Sequence, residues 1–140
     1  MADPLSLTAS VITVIAAVDS VAKLLAKIRS IKNAPDELFA LNNKVSDLRI
    51  ILGDIEGYAL QNLRTSQQEQ LQHMRHLLDR AKDSLQDLDI LIQYRLVKPG
   101  NRMQVSRREW AKAITTIKDF RRSLRDMRLN IVSQMITLDS

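Results

Sequence analysis

The stretch 71-LQHMRHLLDRAKDSLQDLDILIQYRL-96 carries the plainest helical signature in the chain. Its apolar side chains Leu71, Met74, Leu78, Ala81, Leu85, Leu88, Ile92 and Leu96 follow one another at steps of three and four. Each helical residue turns about 100°, so this spacing gathers them into one stripe along a helix. Arg, Asp, Lys and Gln fill the remaining positions, as a solvated face requires.

Three other segments repeat the pattern. One carries Val11, Val14, Val18, Val21, Leu25 and Ile28; a second carries Leu38, Leu41, Val45, Leu48, Leu52, Ile55 and Ala59. The last runs Trp110, Ile114, Ile117, Phe120, Leu124, Met127, Ile131 and Met135. No stretch reads as a strand. The chain therefore predicts an all-α fold, an elongated antiparallel four-helix bundle with helices over about 4–31, 36–64, 67–97 and 106–137, in a single domain spanning 1–140.

The punctuation agrees. Asp3-Pro4 and Pro35-Asp36 place proline at helix starts, where its missing N–H costs nothing. Ser66…Glu69 and Ser106…Glu109 read as capping boxes, and Lys98-Pro-Gly-Asn101 as a turn. Gly53 and Gly57 fall inside the second helix and predict a kink or an early end near Gly57. Short connections predict that consecutive helices are neighbours.

Composition narrows the chemistry. With 45% apolar but only 4% aromatic residues, three glycines and three prolines, the 140-residue chain has a bundle's content and not a disordered one. It holds no cysteine, which removes disulfide scaffolds, zinc fingers and thiol catalysis, and fits a cytoplasmic protein. Three scattered glycines make no phosphate loop, and no nucleophile stands in a recognisable context. We expect no enzyme, no cofactor and no metal. Glu69, His73 and His76 share a helical face with Asp79 nearby, but no fourth ligand is identifiable elsewhere.

Charge is unevenly placed. Residues 1–97 hold 11 basic and 12 acidic side chains, whereas 98–140 hold 10 and 4. Lys118, Arg121, Arg122, Arg125 and Arg128 lie on an arc about 120° wide, bordered by Asp119 and Asp126. Such a stripe suits anionic lipid, or a purely solvated face. Nucleic acid is the weaker reading, because no aromatic platform interleaves the arginines.

The opening helix is distinctive in another way. Between Pro4 and Val18 the chain carries no charge. A secretory signal needs a basic start, and the only early charge is Asp3. Eight strongly apolar residues up to Val21 contribute roughly −2.4 to −4.8 kcal/mol toward insertion, and one central aspartate costs about +2.5 to +3.5. A single copy sits near balance, so it is no constitutive anchor. Leu5, Leu7, Val11, Ile12, Ile15 and Val18 form the candidate membrane-inserting set. Lys23, Lys27 and Arg29 follow, and with the helix-four cations they form the candidate lipid-facing set.

The opening 4-PLSLTASVITVIAAVDSVAKLL-25 resembles the start of the fungal N-terminal domain of STAND proteins, the HeLo-like group. So does Asp47-Leu48-Arg49-Ile50-Ile51-Leu52 in a Leu-rich second helix. The resemblance is strongest over residues 1–60. It implies a domain of fungal NOD-like receptors, related to bundles that execute programmed cell death in heterokaryon incompatibility. In that group, oligomerisation exposes the first helix to the plasma membrane; here that helix would be Leu5–Val21. The glycine-rich first helix of some members is not matched, since this one has none. Neither a nucleotide-binding module nor an amyloid motif is recognisable, so the chain reads as an excised domain or a stand-alone protein. The alternative is a soluble adaptor that recruits partner helices without membrane activity.

Overall fold

The computed structural model describes the backbone of residues 4–29, 36–62, 68–98, 104–105 and 107–139, and the side chains of 7–28, 36–57, 69–96 and 108–137. Four helices dominate: α1 (Pro4–Arg29), α2 (Asp36–Asn62), α3 (Gln68–Leu91) and α4 (Arg107–Asp139). The all-α four-helix bundle is the fold that the stripes predict. The proposed caps Asp3, Pro35, Ser66 and Ser106, the helix ends at 30–31, 63–64 and 67, and the turn residues Pro99, Gly100 and Asn101 lie outside the described residues.

The stripes form the core. Val11, Val14, Val18, Val21, Leu25 and Ile28 of α1 are buried, as are Leu38, Leu41, Val45, Leu48, Leu52 and Ile55 of α2. All eight stripe residues of 71–96 are buried, joined by Leu77 and Leu91 at the stripe's edge. In α4 the burial is thinner. Trp110, Ile117, Leu124 and Ile131 are buried, while Ile114, Phe120, Met127 and Met135 pack only partly against the core. Each fully buried Val, Leu or Ile contributes about 1.5–3 kcal/mol of apolar transfer, and these residues hold the bundle together.

Two local features differ from the periodic reading. α2 continues through Gly53 and Gly57 to Asn62, so the helix does not end early near Gly57. Buried Leu52 and Ile55 on either side of Gly53 anchor the helix to its neighbours, so packing outweighs the cost of about 1 kcal/mol per glycine. α3 ends at Leu91 and gives way to a π turn, Ile92–Leu96, which keeps both Ile92 and Leu96 buried. Beyond it, β1 (Val97–Lys98) pairs antiparallel with β2 (Gln104–Val105), Val97 opposite Val105. The pairing gives some of the chain's polar backbone groups partners where the helix stops. At two residues per strand it is too short to leave an alternating signal.

Adjacency is the larger correction. α1 packs on α2 and α3, and α4 packs on the same two, whereas α2 and α3 occupy diagonal corners. Consecutive helices are therefore not all neighbours. Near one end of the α3–α4 pair, Arg95 meets Glu109 at 3.5 Å; near the other, Gln134 Nε2 donates to the Gln70 carbonyl at 3.3 Å. The separations along the two helices are equal and opposite, which fixes α3 and α4 as antiparallel. Short connections make direction alternate along the chain, but the bundle has one face between α1 and α3 and an opposite face between α2 and α4.

Candidate functional site

The first helix is apolar enough to matter outside the core. The segment Leu7–Ile28, 22 residues, is long and apolar enough to cross a membrane, and only 28% of its most apolar window is buried. A 22-residue helix is about 33 Å long, comparable with a hydrocarbon core of ~30 Å. The segment reaches beyond Val18 because α1 continues unbroken past Asp19.

The six candidate inserting residues separate into two groups. Leu7, Val11 and Val18 are core residues with essentially no exposure. Ile15 is partly buried, and Ile12 is 52% exposed. The Leu5 side chain lies outside the described residues. Helical spacing puts Ile12 on the same exposed line as Ala16, Asp19 and Lys23. Asp19 pairs with Arg49 of α2 at 3.1 Å, and Ser20 Oγ donates to Asp89 of α3 at 2.9 Å. Two exposed polar contacts thus link α1 to both neighbours.

The candidate lipid-facing cations do not form one surface. Lys23 and Lys27 line a groove between α1 and α3 together with Asp19 and Asp89, so carboxylates share their field. The Arg29 side chain lies outside the described residues. Lys118, Arg121, Arg122 and Arg125 line a groove between α2 and α4 on the opposite side of the bundle. No flat membrane could touch both sets of a folded bundle at once.

The α2–α4 groove holds a residue that periodicity alone did not single out. Lys44 projects from α2 into it, and all five lining residues are then cationic. The groove has a volume of about 340 Å³. Arg121 Nε is buried and takes no partner among the described residues, and Arg128 Nε is in the same situation further along α4. The acids that border the stripe lie on α4's other flank. Asp119 and Asp126 line the α3–α4 groove with Arg80 and Arg122, and Asp126 also meets Arg125 at 3.4 Å on the surface.

The histidines of α3 assemble nothing comparable. His76 Nε2 lies 3.3 Å from Gln72 Nε2, and among the described residues no group of three metal-capable side chains converges. Trp110 is core, as its seam position predicts, although its indole Nε1 has no hydrogen-bond partner among the described residues.

A family model described as "Pigment biosynthesis cluster protein PigL N-terminal" matches residues 2–139. That agrees with an N-terminal helical domain of fungal type, the coarser part of the resemblance drawn from the opening helix. No curated protein and no solved structure matches the chain.

Proposed function

The chain belongs to the PigL N-terminal family of pigment biosynthesis cluster proteins, and from that premise we propose that it is a non-enzymatic signalling or effector domain whose first helix acts on membranes. It is a fungal helical domain with one apolar N-terminal helix. The finer reading is that of a HeLo-like domain: a cytoplasmic bundle of a STAND or NOD-like receptor protein that self-associates, is recruited to the plasma membrane, and serves immunity or programmed cell death.

One observation carries this reading. α1 holds a membrane-length apolar segment that is core on one side and exposed on the other, with Ile12 open to solvent. An ordinary core helix has no need of that outer apolar surface. At rest, Leu7, Val11 and Val18 are committed to the bundle, so insertion requires α1 to leave it. Self-association would supply the bias by pairing released helices. The phrase "N-terminal" in the family description is consistent with a module placed ahead of others.

The same burial favours a second reading. If α1 never leaves, the domain is a soluble adaptor whose surface recruits partner helices. Leakage of dye from anionic liposomes separates the two. The domain, forced to oligomerise through a fused dimeriser, should release dye, and Ile12→Asp should abolish release while circular dichroism stays unchanged. Absence of binding and leakage by the oligomerised wild type would sink the membrane reading and leave the adaptor.

A further inference from the structure

We propose that the groove between α2 and α4 is a binding site for a compact anion carrying several phosphate groups, held by Lys44, Lys118, Arg121, Arg122 and Arg125. The site lies across the bundle from the outer face of α1, and its existence does not depend on membrane activity by that helix.

The charge arrangement is unfavourable without a ligand. On α4 the pairs 118/121, 118/122, 121/125 and 122/125 stand at three- and four-residue spacings. Like charges so placed destabilise a helix. Lys44 adds a fifth cation from a different helix, and no carboxylate is among the described residues that line the groove. The acids nearest in the stripe, Asp119 and Asp126, line the α3–α4 groove on α4's other flank; Arg122 borders both grooves, and Asp126 meets Arg125 at the exposed surface. Charge is thus segregated across α4, with one flank mixed and the other wholly basic.

The lining also specifies the ligand's chemistry. Among the described residues it contains no aromatic side chain, so they offer no platform for stacking bases. Among the same described residues there is no apolar side chain either, so an acidic helix would find no anchor there for its own apolar face. What remains is dense negative charge in a small volume. Guanidinium forks match phosphate oxygens in pairs, and three of the five residues are arginine. Arg121 lines the groove while its buried Nε has no hydrogen-bond partner among the described residues, so its guanidinium is not already committed through that atom to a neighbouring carboxylate. Neighbouring cations several ångströms apart suit adjacent phosphate esters on one small ring.

Two sources share this chemistry: a soluble polyphosphate and the headgroup of a phosphorylated inositol lipid. The test titrates the full chain with inositol hexakisphosphate and with inositol 1,4,5-trisphosphate by calorimetry at fixed salt. It then uses phosphatidylcholine vesicles containing phosphatidylinositol 4,5-bisphosphate, compared with phosphatidylserine vesicles of equal total charge. Binding should saturate at one ligand per chain, and Lys44→Gln and Arg121→Gln should each weaken it about tenfold or more. Lys82→Gln, which removes the same charge from α3, should change affinity less than about twofold. Binding of the soluble probes alone assigns the soluble source; preference for the bisphosphate vesicles with competition by the soluble probe assigns the headgroup. Either supports the site. If Arg121→Gln lowers the melting temperature, Lys44→Gln alone carries the test. Unsaturable binding, equal loss with Lys82→Gln, or no preference over phosphatidylserine with no soluble binding overturns the proposal. So does tighter binding of a single-stranded oligonucleotide that survives Lys44→Gln. Liposome leakage is read separately, so failure of either proposal leaves the other standing.

Discussion

The Asp19 carboxylate on α1 accepts a hydrogen bond from Arg49 Nε on α2 at 3.1 Å. Asp19 is the only charged residue between Pro4 and Ala22, so the one charge that interrupts the apolar run is partnered in the folded bundle. The side chains are 41% and 51% exposed, which limits the pair to about 1 kcal/mol of stability or less. The same carboxylate costs about 2.5–3.5 kcal/mol at the centre of a membrane-inserted helix. It weighs little in the fold and heavily in insertion.

Asp19→Asn should therefore lower the melting temperature by no more than about 3–5 °C, while raising partition of the oligomerised domain into liposomes. Thermal denaturation and vesicle co-flotation measure the two effects. Unchanged partition with an intact fold would show that Asp19 does not restrain insertion.

The helix stripes were legible because burial on one face of a helix imposes its period on the sequence, and Leu71, Leu78, Leu85 and Leu88 obey it. Lateral arrangement was not. The α2–α3 diagonal depends on which faces best fill the interior, and nothing in the local pattern of Leu48 or Leu78 records it. The role of Lys44 is invisible in the sequence for the same reason. It stands next to buried Val45 as one more polar position on α2, and becomes part of a site only when α4 is placed beside it. Ile12, conversely, counted as apolar in the sequence, but only the structure shows it facing water.

Burial predicts a clear contrast between two leucines. Leu85 is wholly buried in the interior, whereas Leu129 on α4 is 50% exposed. Leu85→Ala should cost about 2–5 kcal/mol of unfolding free energy, from lost transfer and the cavity left behind. Leu129→Ala should fall within about 0.5–1 kcal/mol of wild type. Urea denaturation distinguishes them, and similar losses would contradict the assigned core.

The glycines of α2 should respond differently to alanine. At Gly57 a new methyl meets open space within a helix, so Gly57→Ala should stabilise by about 0.4–1 kcal/mol. At Gly53 the methyl would stand 3.3 Å from Arg49 Nη1. Arg49 must give way there, and its contact with Asp19 is what moves. Gly53→Ala should gain less than Gly57→Ala in thermal denaturation, and the difference should vanish in an Arg49→Ala background.

The contact between Ser20 and Asp89 allows the release of α1 to be tested directly. Ser20 Oγ lies 2.9 Å from Asp89 Oδ2, across the α1–α3 interface. The chain has no cysteine, so Ser20→Cys with Asp89→Cys introduces the only two thiols. A short bifunctional thiosulfonate should join them by bridges that a reductant cleaves. The native contact is exposed and contributes little, so the unbridged double variant should fold and leak dye like wild type once oligomerised. Bridged, α1 is tied to α3 and cannot leave the core that holds Val11, Val14 and Val18. Leakage should then disappear, and reduction should restore it. A bridged protein that still permeabilises liposomes would mean that the bundle acts on membranes with its first helix in place, through Ile12 and the outer face alone.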